Sequence, residues 1–363
     1  MIPARSRLLL EACLGTAGLR GEAWNRWLEL TRFHDIDLGS HALLPSVGYF
    51  NRDEPLAESS LLRGLFRHNW AVNQQRFRLV LPALSALQGE GLDPVLLKGA
   101  AVAERIYGSL GARRMADVDV LVASNDFAKA KDILARSGFS PGSGYLWPRA
   151  SVKSWAFVGP EGAQLDLHSR PLQAPWNVAT ELAMRAGFGQ VTISGRPFRT
   201  LSDSANLVVA LVHGAQYDGR SSHQWILDAS LLIRAGGVDW NVFSGIAHAL
   251  NLDFAVSRGL REALPFVPQG SVPSSALEGG LRARQRMEQF FRTREPGGVL
   301  GALPNLYFLF VREKERGLWG GTFWDYLRDA WEIPAHTALG SVLLSKSLRR
   351  AGSVLSTPRR PTS

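Results

Sequence analysis

Two stretches decide the reading of this chain: Leu97-Lys98-Gly99-Ala100, and then Arg113-Arg114-Met115-Ala116-Asp117-Val118-Asp119-Val120-Leu121-Val122. The second sets two carboxylates one residue apart inside an apolar run. In an extended strand alternate side chains share a face, so Asp117 and Asp119 are expected to project to one side. Val118, Val120 and Val122 then project to the other, into a core. Two like charges on one face of a buried strand repel and lose hydration, a cost that a cation between them removes. Hard carboxylate oxygens suit magnesium, so the pattern predicts Mg2+ at this pair, as one ion or two, with Mn2+ able to substitute.

Upstream, Asp93-Pro94 opens a short apolar run, Val95-Leu96-Leu97, that reads as a strand. Lys98-Gly99 breaks it, and Ala100 to Tyr107 reads as a helix. Gly99 allows close backbone approach, the first amides of the helix face an anion, and Lys98 adds a positive charge. Lys98 and Gly99 are therefore the expected phosphate grip. A phosphate site beside a two-carboxylate metal site implies transfer of a nucleotidyl or other phosphate-linked group.

The same residues resemble the polymerase β-type nucleotidyltransferase superfamily, and within it an uncharacterised bacterial nucleotidyltransferase family with the pattern L-K-G-A-A-x-A-E-x-x-Y, then R-x-M-x-D-x-D-x-L-V. These correspond to Leu97–Tyr107 and Arg113–Val122. The resemblance continues through Leu165-Asp166-Leu167-His168, His213 and Trp225-Ile226-Leu227-Asp228, and covers roughly residues 60–260. It implies a catalytic and metal-binding set of Asp117, Asp119 and Asp166, and nucleotide binding by Lys98, Gly99, Arg113 and Arg114. His168, His213 and Asp228 become candidates for the substrate pocket. In the wider superfamily a Gly-Ser pair grips the triphosphate; here Lys98-Gly99 replaces it.

Composition narrows the class. The 363 residues suit two or three compact units, and 45% hydrophobic with 20% charged residues argue against global disorder. A single cysteine, Cys13, excludes an intramolecular disulfide and fits a reducing compartment, so a cytoplasmic location is expected. Leu8-Leu9-Leu10 is too short and too soon interrupted to be a signal sequence, and Asn305 to Val311 is too short to span a bilayer, so no membrane partner is expected. The net charge of +9 favours acidic partners. Part of it is terminal: Lys346, Arg349, Arg350, Arg359 and Arg360 fall in a Ser/Pro-containing tail that reads as solvated and mobile.

The expected fold is α+β: a small mixed β-sheet core over 91–200, flanked by a helical N-terminal region (1–90) and helical C-terminal regions. Residues 201–264 would complete the cleft, and 276–363 would form a helical extension with the basic tail. Strands are predicted around 154–158, 163–168, 191–193 and 197–200, with Gly159-Pro160-Glu161-Gly162 as a hairpin turn. Ser124 is expected to cap a helix over 125–137, Ser202 or Ser204 a helix through Val212, and Ser222 a helix over 224–235. Further helices are predicted over 240–250, 254–264 and around Phe323, Trp324, Leu327 and Trp331, and Pro265 to Ser275 reads as a linker.

Asp166 and His168 share a face of an alternating strand, so Asp166 can bind a second ion or accept a proton from an attacking hydroxyl. Arg113, and Arg114 beside it, can neutralise charge on the leaving phosphate. Asp228 is expected to cap a helix or to pair with Arg234 or Arg220, and Trp225 to be core. The donor is expected to be a nucleoside triphosphate or a nucleotide-sugar, the acceptor a peptide, small molecule or RNA. Sugar transfer to a peptide, as in lasso-peptide biosynthesis, toxin-like tRNA modification and an inactive nucleotide-binding module are the competing readings. The oligomeric state is not legible.

Overall fold

The computed structural model describes residues 2–32, 35–142, 154–172, 178–215 and 223–279, then 303, 306–308, 310–311, 314, 320–330, 333 and 338. The described residues up to 279 form one compact unit and those from 303 onward belong to a second.

Four helices come first: α1 (Ala4–Leu14), α2 (Ala17–Leu30), α3 (Leu38–Phe50) and α4 (Ser59–Gly89). The sheet follows as β1 (Val95–Leu96), β2 (Val118–Leu121), β3 (Ser140–Pro141), β4 (Ser154–Val158), β5 (Gln164–His168), β6 (Phe188–Ile193) and β7 (Arg196–Leu201). Between them lie α5 (Lys98–Val102), α6 (Phe127–Arg136) and α7 (Val178–Arg185); α8 (Asp203–Ala215), α9 (Gln224–Arg234), α10 (Trp240–Ala249), α11 (Asp253–Ala263) and α12 (Ser274–Leu277) follow. The expected α+β class is what the chain adopts.

The seven strands run in the order β3-β4-β5-β2-β1-β7-β6. β2 pairs antiparallel with β1 and parallel with β5, so the sheet is mixed. Alternation along each strand divides two cores. Leu96, Val118, Val120, Val122, Leu165 and Leu167 pack against the apolar face of α4 (Phe77, Val80, Leu84) and against Ile133 and Leu134 of α6. Val95, Leu97, Leu121 and Leu201 face the other way, toward the helices α1–α3 and α8–α11. The sheet is thus a middle layer, and the face that carries Asp119 is the one that meets α8 and α9.

Several local expectations need correction. The helix expected over Ala100–Tyr107 stops at Val102, because the chain must turn to bring Tyr107 and Arg113 back beneath α9. Ser124 does not cap α6: its hydroxyl donates instead to Glu181 (2.8 Å) and to the Ser169 carbonyl (3.2 Å). Ser202 does cap α8, accepting from the Ala205 amide at 3.3 Å. Ser222 and the basic tail residues lie outside the described residues. Residues 265–275 open with a 3-10 turn, Leu264–Phe266, and α12 begins at their end. In the second unit α13 (Phe323–Ala330) buries Tyr326 and Leu327 with Leu306 and Phe310. No helix among the described residues is long and apolar enough to cross a membrane.

Candidate active site

The pairing of β2 with β5 sets Asp119 directly opposite Asp166, and Leu121 opposite His168. Both strands have period two, so Asp119, Asp166 and His168 share the helix-facing side. Asp117 sits one residue before β2 rather than within it, and it borders the same cleft as Asp119.

His168 is fully buried and organises the carboxylates. Its Nε2 lies 2.9 Å from Asp119 Oδ1 and 3.1 Å from Asp166 Oδ2, and its Nδ1 lies 3.3 Å from the Arg170 carbonyl. With oxygens against both ring nitrogens, the imidazolium is the form that donates to all of them. Burial pushes its pKa down, but the bonds to Asp119 and Asp166 outweigh this and raise it. Burial alone would raise the Asp119 carboxyl; Lys98 and His168 overcome that and hold it well below the usual carboxylate range. Asp166 is likewise lowered, by the His168 bond working against burial. Asp117 behaves oppositely: burial, with Asp119 beside it, pushes it up to about 6.

Lys98 takes a left-handed backbone conformation, φ 47°, which a side-chain-bearing residue adopts at a cost of order 1–3 kcal/mol. The conformation brings its Nζ to 2.5 Å from Asp119 Oδ1. A Cβ at Gly99 would run into Arg113 Nη1 and lie 2.6 Å from Met115 Cγ, so the space a side chain would need is filled by this protein's own side chains, while the residue itself borders the cleft.

Arg113 and Asp228 form a buried two-point pair, Nε to Oδ1 at 2.8 Å and Nη2 to Oδ2 at 2.7 Å, and the Tyr107 hydroxyl donates to Oδ1 at 2.6 Å. This corrects the expected partner of Asp228: Arg234 instead donates to the carbonyls of Phe266 and Leu14, and Arg220 lies outside the described residues. Arg114 is exposed, and its backbone is gripped by the buried Gln224 carboxamide, which donates to its carbonyl (3.2 Å) and accepts from its amide (3.0 Å).

The cleft encloses about 330 Å3. One wall is Lys98, Gly99, Arg113, Arg114, Asp117 and Asp119; the other is α8 and α9, through Asn206, His213, Gln224, Trp225 and Asp228. Trp225, expected in the core, is half-buried against it with its ring beside Gly214, and it also borders the cleft. Asp166 and His168 stand behind Asp119 on β5, and among the described residues Asp119, Asp166 and His168 bring donor atoms within 4.8 Å of one another.

Sequence reasoning missed the residues that hold the loop between α5 and β2. Asn73 donates to the carbonyls of Leu110 (2.7 Å) and Arg113 (2.9 Å), Asn69 to Gly111 (2.8 Å), and Ser46 to Ala112 (2.6 Å). A signal was present: Asn69 and Asn73 lie on the stripe of α4 that also carries Leu62 and Phe77. Buried amides at core positions need partners.

A comparison with curated proteins finds no match. Among solved structures, the chain is similar to the antibiotic-resistance factor ANT(2'')-Ia at 14% identity and a TM-score of 0.39, over 52% of this chain and 98% of that one. It is also similar to an antigenic nucleotidyltransferase-like protein from Paracoccidioides brasiliensis at 18% identity and a TM-score of 0.32, over 54% of this chain and 94% of that one. The sequence profile of the uncharacterised nucleotidyltransferase family matches residues 22–264, a span that includes the sheet, the acid cluster and the helices of the opposite wall. The chain belongs to that family of nucleotidyltransferases.

Proposed function

We propose that the chain is a magnesium-dependent nucleotidyltransferase that moves a nucleotidyl group from a nucleoside triphosphate to a hydroxyl or phosphate acceptor. One observation carries the reading: Asp117 and Asp119 border a cleft whose far wall is helical, and Asp166, the register partner of Asp119 on the parallel strand β5, stands directly behind them. Carboxylates this close need counter-charge. Lys98 and His168 supply it to Asp119, and His168 to Asp166, while Asp117 has no hydrogen-bond or ion-pair partner among the described residues.

That donor set of hard oxygens fits a divalent cation, which Asp117, Asp119 and Asp166 would hold. When bound, the ion would draw charge from the triphosphate oxygens. The chain's own groups do the rest. Lys98 is placed to exchange its contact with Asp119 for a phosphate oxygen, and exposed Arg114 offers a second cation on the same wall. Arg113, fixed by Asp228, contributes a charge that does not move. Asp166 stays ionised near neutral pH and is able to accept the proton of the attacking hydroxyl. His213 and Trp225 border the space left for the acceptor.

The test is calorimetry of each nucleoside triphosphate with and without magnesium, together with the Asp117→Asn/Asp119→Asn variant. Magnesium-dependent binding in the wild type, and loss of transfer in a variant that still folds, are expected. Transfer retained in the double variant would sink the reading.

A further inference from the structure

Helix α4 is 31 residues long and carries Arg63, Arg67, His68, Arg76 and Arg78, with no aspartate or glutamate. One flank looks toward the cleft: Arg76 donates Nε to the Ala116 carbonyl at 3.1 Å, one residue before Asp117. Arg114 borders the cleft itself, so two arginines stand beside the acids. On the outward side, Arg63, Arg67 and Trp70 follow one another at helical spacing and form one stripe. Arg63 and Arg67 are exposed and make no ion pair among the described residues, and Trp70 leaves 46% of its surface in solvent. Arg78, further along, is paired with Glu161 at 3.2 Å.

Unpaired guanidinium groups beside an exposed indole have a specific complement. A phosphodiester chain offers phosphates to the first and a base face to the second in every nucleotide, whereas a run of acidic residues offers charge without a ring. α4 also fastens the loop that leads into the site, through Asn69 and Asn73, so a strand lying along it is directed to the cleft.

We infer that α4 is the docking face of a single-stranded nucleic acid whose terminal hydroxyl is the acceptor at the cleft bordered by Asp117 and Asp119. The inference rests on the nucleotidyl-transfer reading. In the step, the terminal hydroxyl oxygen bonds to the α-phosphorus of the triphosphate as the bond from that phosphorus to the bridging oxygen breaks. Pyrophosphate leaves with the electron pair, and the hydroxyl proton passes to the Asp166 carboxylate and on to solvent.

The experiment is fluorescence anisotropy of the full chain with labelled single-stranded RNA and DNA of about 20 nucleotides, longer than the ~4–16 nucleotides that a single binding fold covers. Arg63→Gln/Arg67→Gln is expected to weaken binding about tenfold or more and to flatten the log–log salt slope by about 1.4, that is, ~0.7 for each lost phosphate contact. Trp70→Ala is expected to weaken it about fivefold through lost stacking. Both variants change exposed side chains and should keep the magnesium–ATP affinity of the wild type. Absence of nucleic-acid binding in the wild type, equal binding by the arginine variant, or equal competition by polyglutamate would each overturn the inference. ATP binding that survives such a result leaves the nucleotidyl reading standing. Nucleic-acid binding without any magnesium-dependent triphosphate binding would instead overturn that reading and the acceptor role with it.

Discussion

At Gly99 the absence of a side chain lets Arg113 and Met115 close against the turn that carries Lys98. Gly99→Ala would force the Arg113 guanidinium away from Asp228, or the turn away from the sheet. We expect a loss of ~1–3 kcal/mol, typical of overpacking, measured by urea denaturation. Asp228→Asn should cost more. It leaves the Arg113 charge buried without its counter-charge, a situation worth ~3–5 kcal/mol, and it sets an amide NH2 against Arg113 Nη2 where a carboxylate oxygen accepted. A variant at Asp228 that kept full stability would show that the pair is not a structural lock. This bears on how such variants are read: loss of transfer in Asp228→Asn reports on catalysis only where folding is shown to survive. Asp117→Asn is cleaner, since it takes away no ion pair.

Among the elements, α3 and α4 act as the back wall of the site loop, and their integrity is set partly at their ends. Asp37 caps α3, accepting from the Ser40 amide at 2.8 Å and the Ser40 hydroxyl at 2.7 Å. Asp37→Ala is expected to cost ~1 kcal/mol, the usual worth of such a cap, readable as a lowered urea midpoint. Burial pushes the Asp37 carboxyl up, but the bonds from Ser40 prevail and hold it below its ordinary value of 3.8. A carboxyl depressed by folding stabilises the native state above its unfolded pKa, and that contribution disappears as pH falls through the folded value. The difference between the wild type and Asp37→Ala should therefore be full above the unfolded carboxyl range of ~4 and shrink as pH falls through the lower folded value. A difference that persists in acid would mean that the cap acts through something other than its charge. Along α4 the amides of Asn69 and Asn73 do what a capping residue does at a helix end: they satisfy carbonyls that the turning loop leaves without helix partners.

Across the whole of the first unit, the sheet is a middle layer with a dry face and a working face. The dry face packs Leu167, Val120 and Val118 against α4 and α6; the working face carries the acids toward α8 and α9. Leu167→Ala, at a fully buried position on the strand that carries Asp166 and His168, should cost ~2–5 kcal/mol and lower the unfolding midpoint of the unit. Trp324→Ala on α13 changes a side chain 57% exposed and should stay within ~0.5 kcal/mol. Equal effects of the two would contradict this division between core and surface.

What depends on neighbours along the chain was legible in the amino-acid order. The alternation of Val118, Asp119, Val120 and Leu121 settles which side chains face the dry core, because a strand has period two whatever it pairs with. The hairpin from Ser154 to His168 and the helices after Ser202 were legible for the same reason: turn residues and apolar spacing are local signals. The tertiary structure decided what joins distant segments. Asp119 meets Asp166 only because β5 adds to β2 in parallel at one register, and a shift of one residue would have turned His168 and Asp166 to the dry face. Asp228 meets Arg113 rather than Arg234 because α9 packs over the loop before β2, and a Cβ at Gly99 would meet Arg113 for the same reason. Pair choice among charged residues is set by which helices pack together, and no spacing along the chain encodes it.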